Sequence, residues 1–172
     1  MLSEYRPIIM RANRLLGATL VEQNFVKIED LERANERLLE LVAAEDVRQA
    51  TVLGILAYEL QVVREEDILL HLADTESLGL IDLHTYDAHD DCRKATDINA
   101  CWATWSVPYD KEEGTTFVAT AYYLSPAVRA FWEKQLGTAI IWYGTTLSNI
   151  AEYLDRLDKD RRAQAAAAAA SA

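Results

Sequence analysis

The chain has 172 residues, 51 % hydrophobic and 26 % charged, and its 17 Lys+Arg against 28 Asp+Glu give a formal net charge of −11. That composition excludes a disordered or fibrous chain and suffices for one ordinary domain or two small ones packed together. The shortage of cations excludes a general nucleic-acid polymer as partner and disfavours docking on an anionic membrane surface, because both need clustered Lys and Arg.

Residues 1–77 read as a helical subdomain. Apolar residues recur at three- and four-residue steps in LLGATLVEQNFV, LERANERLLELV, ATVLGILAYEL and EEDILLHLA, which predicts four helices with short polar connections. Pro7 stands near the start, where a missing N–H costs little. The region contains an internal repeat. A shift of 37 residues places Leu16-Gly17 on Leu53-Gly54, Glu22 on Glu59, Phe25-Val26 on Val62-Val63 and Glu29-Asp30 on Glu66-Asp67. Each copy is a helix, a tight turn, an apolar pair and a second helix, with Asn24 and Gln61 at the turn.

Residues 78–157 change character. TWSVPYD and TTFVATAYYL are rich in β-branched and aromatic residues and flank Lys111-Glu112-Glu113-Gly114, which predicts a hairpin. Ser125-Pro126 opens a helix that stops at Gly137, TAIIWYG is a third strand, and Thr145 or Thr146 caps a last helix. The order predicts a small α/β sheet subdomain with helices on one face, so the fold class is α+β. Residues 158–172 form an Ala-rich tail that either extends the last helix or frays.

No apolar run approaches the ~20 residues that span a bilayer. The opening MLSEYRPIIMRANRLLG holds only the short stretch IIM between Arg6 and Arg11, so no secretory leader is visible. The expectation is a cytoplasmic protein that does not insert into membranes. Cys92 and Cys101 have neither zinc-knuckle nor redox-pair spacing and are expected as reduced, partly buried thiols.

Catalytic signatures are missing. There is no Gly-Lys phosphate cradle, no G-x-G-x-x-G, no G-x-S-x-G and no H-E-x-x-H, so the chain is not read as an enzyme. The cluster His84-x-x-Asp87-x-His89-Asp90-Asp91-Cys92 could offer metal ligands, but it lies between the two subdomains and reads as a solvated connector; no metal is expected. His71 is expected on a helix face. Trp102, Trp105, Trp132 and Trp142 fall at core spacing and are expected to pack. Arg11 and Arg14, on one helix just before Leu16-Gly17, are the best place for a small anion.

Leu16-Gly17-x-x-Leu20-Val21-Glu22-Gln23-Asn24-Phe25-Val26 with Glu29-Asp30-Leu31 resembles the N-terminal domain of type II secretion and type IV pilus assembly ATPases, the MshE or GspE N-terminal-like domain. Leu78-Gly79-Leu80-Ile81-Asp82-Leu83 is similar to the family's junction, and Ser125-Pro126, Gly137 and Ile150-x-x-Tyr153-Leu154 follow in order over residues 11–157. The chain ends where the family's ATPase core would follow, so a stand-alone, degenerate version is expected. The resemblance implies a non-enzymatic module that either docks on a protein of a secretion, pilus or related envelope machine or binds cyclic di-GMP. The nucleotide-binding form resembles R-L-G-x-x-L-V-x-x-G followed by a helix ending its motif in Gln. Here Leu15 and Val52 stand at the Arg positions, Asn24 and Gln61 at the turn glycines and Leu38 at the first copy's Gln. Leu and Val cannot replace a guanidinium's charge-assisted bonds, which directs the reading to an adaptor with a protein partner. The alternative is a cyclic di-GMP receptor with an altered site. By resemblance its ligand-facing set is Arg11, Arg14, Leu15, Leu16, Gly17, Leu20, Val21, Asn24, Leu53, Gly54 and Gln61.

Overall fold

The computed structural model describes residues 2–87 and 90–172. The predicted four helices are α1 (Leu2–Glu22), α2 (Ile28–Ala43), α3 (Val52–Gly54) running directly into a π turn (Ile55–Glu59), and α4 (Glu65–Thr75). α1 buries Ile9, Ala12, Leu16 and Leu20, and α2 buries Leu31, Ala34, Leu38 and Leu41, the inner stripes that their periodicity demands. α1 starts before Pro7, which sits in its second turn; the Ser3 carbonyl that loses a partner lies at the exposed helix start.

The repeat is visible as structure. Asn24 and Gln61 hold φ of 60° and 53°, so both copies turn through a left-handed residue. The copies are nevertheless not superimposable. In the first, the Phe25 N–H reaches back to the Leu20 carbonyl; in the second, the Val62 N–H reaches back to Leu56, one residue further away. The π turn accounts for the longer span, with the Leu60 N–H bonded to the Ile55 carbonyl. Both copies run seven residues from glycine to turn, 17 to 24 and 54 to 61; a π turn spends about one residue more than an α turn, so the residues upstream emerge rotated by about 100°. The glycines record the rotation. A Cβ on Gly17 would lie 2.5 Å from Leu31 Cδ1, whereas one on Gly54 would meet Thr51 Cγ2 at 2.7 Å and Leu147 Cδ1 at 3.5 Å rather than Ile68, the repeat counterpart of Leu31.

The second part forms a four-stranded sheet in the order β1-β4-β3-β2, from β1 (Gly79–Leu80), β2 (Ser106–Glu112), β3 (Thr115–Thr120) and β4 (Ala139–Gly144). β2 and β3 are antiparallel and joined through Glu113 and Gly114, both at positive φ, so the predicted hairpin closes on a two-residue turn. β3 pairs parallel to β4 across α7 (Pro126–Leu136), and β1 pairs parallel to β4 through Gly79↔Tyr143 and Leu80↔Gly144. Gly137 ends α7 at φ 61°. Thr146 caps α8 by accepting the Asn149 N–H, and α8 (Leu147–Ala170) carries the Ala-rich tail on as helix.

Three elements depart from the sequence expectation. The connector is partly helical, with α5 (Asp90–Ala95) and α6 (Ile98–Thr104), and β1 is a strand of its own. Asp97 caps α6 by accepting from the Asn99 and Ala100 N–H groups. Tyr5 of α1 donates to the same Asp97 carboxylate, which holds the Tyr5 hydroxyl at a pKa of about 12. Trp105, Trp132 and Trp102 are buried and Trp142 is half-buried, as packing residues should be. One hydrophobic cluster joins Leu16, Leu20, Leu53 and Leu56 of the helical part to Trp105, Val107, Tyr122 and Ile150 of the other. Residues of both parts thus fill one core.

Candidate functional site

The doubled motif is the site that the sequence singles out. The structure divides its residues between two faces of the helices that carry them. Leu16, Leu20 and Leu53 are 2 %, 0 % and 3 % exposed and belong to the core. Leu16 and Leu53 meet across an internal space of about 10 Å³, lined also by Glu65, Thr120 and Thr145. That is about the room one water needs. Arg11 and Arg14 lie on the exposed face of α1 and form no ion pair among the described residues. Leu15 and Val21 are half-buried beside that face, and Asn24 and Gln61 are exposed at the turns. Gly17 is pressed against Leu31, and Gly54 against Thr51 and Leu147. Leu16 and Leu53 thus line one space, and Gly54 lines another.

Polar residues that the sequence reading passed over hold the motif in place. Asn13 is 1 % exposed within the apolar stripe of α1. Its Nδ2 donates to the Ile9 carbonyl at 2.8 Å, and its Oδ1 accepts the Val52 N–H at 2.8 Å and the Tyr122 hydroxyl at 2.6 Å. Tyr122 and Thr51 also share a hydrogen bond at 2.5 Å, and Ser125 Oγ donates to the Ala12 carbonyl at 2.9 Å. This network ties α1 to the start of α3 and to the loop before α7. A buried, fully partnered network of this kind fixes register as well as adding stability. Its one legible trace is an Asn at a core position of an amphipathic helix.

Glu65, 3 % exposed, makes a second junction. Its carboxylate accepts the Leu147 N–H at the start of α8 at 2.7 Å and the Tyr58 hydroxyl from the π turn. Burial pushes its pKa above the ordinary carboxylate value, while the two hydrogen bonds pull the other way. Nothing in the run Glu65-Glu66-Asp67 distinguishes the first acid from its solvated neighbours.

His84 takes partners from outside the connector cluster. His84 Nδ1 lies 2.6 Å from Asp82 and its Nε2 2.6 Å from Glu152 of α8. Asp87 is exposed, His89 lies outside the described residues, and Cys92 is buried in α5. Among the described residues no group of three or more His, Cys, Asp or Glu is placed to hold a metal ion. His71 packs edge-on against Phe25 at 5.2 Å, a helix-face contact. The Asp82 hydrogen bond, then the charge of Glu152, raise the His84 pKa above its ordinary value. Only an imidazolium donates from both nitrogens, so this link is complete below the unfolded His pKa of ~6.5 and is lost as pH rises through the raised folded value. A histidine NMR titration should find His84 above ~6.5, and Glu152→Gln should lower it; a value at or below that of a free histidine would refute the bridge.

No family model matches the sequence, and no curated protein matches it. Solved structures do match. The N-terminal domain of XpsE aligns with a TM-score of 0.55 and 18 % identity over 84 % of this chain and 94 % of that one, and in a second crystal form with 0.54 and 18 % over 80 % and 90 %. MshE, solved with cdg (cyclic di-GMP), aligns with a TM-score of 0.53 and 20 % identity over 83 % of this chain and 97 % of that one. This is a GspE N-terminal-like fold. At such low identity the likeness is one of backbone architecture.

Proposed function

We propose that this chain is a non-enzymatic, cytoplasmic docking module that engages a protein of a secretion, pilus or related envelope machine, with residues 1–77 and 78–157 as its two subdomains. The observation that carries the reading is the GspE N-terminal-like fold combined with apolar side chains at the motif's arginine positions. Val52 is 0 % exposed and its N–H is held by Asn13. A guanidinium there would be buried without a counter-charge, which is strongly unfavourable. Leu15 is half-buried and equally unable to grip a phosphate. No described helix is long and apolar enough to cross a membrane.

A second reading is favoured by one observation, the MshE structure solved with cdg. In that reading, Arg11 and Arg14 replace the missing arginines of an altered cyclic di-GMP site. Isothermal titration with cyclic di-GMP at moderate salt separates the two. The docking module gives no heat, and cross-linking in cells recovers a component of such a machine. Binding near −8 kcal/mol, about micromolar, that weakens in Arg14→Ala would overturn the docking reading in favour of the receptor.

A further inference from the structure

Away from the doubled motif, β4 is paired on one side only for most of its length. Along β3 its register runs from Ala139 to Gly144, but β1 meets it only at Tyr143 and Gly144. Among the described residues no strand lies beside Ala139–Trp142 on that second side. The cause is local: Ser77, at φ 52°, turns the chain off the sheet edge just before β1 begins. The Ile81 N–H bonds the Gly144 carbonyl across this edge, and backbone groups alternate in direction along a strand. The N–H groups of Ile140 and Trp142 and the Ile140 carbonyl therefore face the gap. Natural edges are commonly blunted by charge, proline or a bulge. β4 reads AIIWYG, without charge or proline, and its register with β3 carries no shift. Ile141 beside the gap is 45 % exposed and Leu80 at its end 46 %. Such an edge is a template for an added strand.

Charge selects the occupant. α4 closes on Asp74 and its cap Glu76, three residues ahead of Gly79, so the β1 end of the gap is acidic. Both carboxylates are exposed and in no ion pair among the described residues, and the last turn of α4 holds no basic residue. The carbonyl end of a helix favours cations, and here it meets only acids. A second copy carries the same net −11, and its own β4 offers no cation. We infer that the open edge of β4 binds an extended segment of a partner protein, apolar at alternate positions and carrying Lys or Arg at the end next to Glu76. This surface rests on the docking reading and supplies its contact.

The probe is a capped hexapeptide, Val-Thr-Val-Thr-Lys-Lys, with Val-Thr-Val-Thr-Glu-Glu as control, read by NMR of the isotope-labelled full chain. The lysine peptide should shift the Ile140 and Trp142 amide signals and slow their hydrogen exchange several-fold, with a Kd of about 1 mM. The glutamate peptide should bind about tenfold more weakly. Glu76→Lys, at an exposed position, should reverse that preference. Ile140→Pro removes an outward N–H without taking one from the β3 ladder and should abolish the shift; the Glu76 variant keeps the test if the proline variant does not fold. Amides unmoved by about 10 mM lysine peptide, or equal binding of the two peptides, would overturn the inference. So would a parent chain that is a dimer and an Ile140→Pro variant that is a monomer, because a second copy would then hold the edge. Cross-linking in cells separates this surface from the docking reading. A machine component recovered equally by parent and Ile140→Pro overturns the edge alone, and one recovered by neither overturns both.

Discussion

Replacing Asn13 by alanine should lower the stability by about 3 kcal/mol, a fall in melting temperature of roughly 6–12 °C for a chain of this length. The carboxamide serves three groups at once, the Ile9 carbonyl, the Val52 N–H and the Tyr122 hydroxyl. Alanine leaves the buried Val52 N–H with nothing to receive it, which costs about 1–3 kcal/mol, takes a donor from the Ile9 carbonyl and leaves the Tyr122 hydroxyl only Thr51 as partner. Tyr122→Phe removes one partner together with its polar atom and should cost less, about 1–2 kcal/mol. Because the two side chains share a hydrogen bond, the double variant should fall short of the sum. Urea unfolding of the four proteins measures the coupling. Strict additivity would mean that Asn13 and Tyr122 act independently and that the network is not a unit.

Glu65→Ala should cost about 2–4 kcal/mol, because the Leu147 N–H and the Tyr58 hydroxyl lose their acceptor together. Glu65→Gln keeps an oxygen for Leu147 and the volume of the side chain, and near neutral pH it should lie within about 1 kcal/mol of the parent. The two variants differ further in pH dependence. The Glu65 pKa is raised in the fold, chiefly by burial. The native state therefore binds its proton more tightly than the unfolded chain does. Stability from this group is complete below the unfolded value of ~4.3 and is lost as pH rises through the higher folded value. In Glu65→Gln that decline should be missing. Equal slopes for parent and Gln variant in denaturant unfolding across this window would show that Glu65 titrates normally and that its burial has little electrostatic consequence.

Local chemistry made much of the architecture legible. The stripes Leu31-Ala34-Leu38-Leu41 and Ala12-Leu16-Leu20 announce their helices because three- and four-residue spacing has no other economical burial. Pro126 and Gly137 bracket α7 through backbone preferences that need no tertiary context. Even here the chemistry was reassigned in one respect. Ser125 occupies the N-cap position, yet its hydroxyl makes no cap bond and reaches the Ala12 carbonyl instead. What could not be read is non-local. β1 is two residues long and exists only by pairing with β4, far along the chain. α6 is the short string INACWAT, whose burial against α1 and α8 no pattern within it predicts.

The doubled motif was legible as a repeat, while the direction in which its residues emerge was not. A one-dimensional shift aligns residues by position, whereas the π turn between Gly54 and Leu60 changes the angle at which equivalent residues emerge. The leucines and glycines that looked ligand-facing are mostly core, and the residues that position them, Asn13, Glu65 and Tyr122, carry no motif. Sequence separations between Asn13 and Tyr122 or between Glu65 and Leu147 exceed anything periodicity can sense.

The π turn also bears on symmetry. Cyclic di-GMP is a two-fold ligand, and two like half-sites related by a dyad can each read one of its halves with the same contacts. Duplication supplies the two halves; the π turn in the second removes their equivalence. Gly17 looks onto a neighbouring helix of its own unit, while Gly54 looks across to α8. Whatever this chain grips with its paired units, it grips by two dissimilar hands, which suits an asymmetric surface such as another protein better than a molecule whose halves are identical.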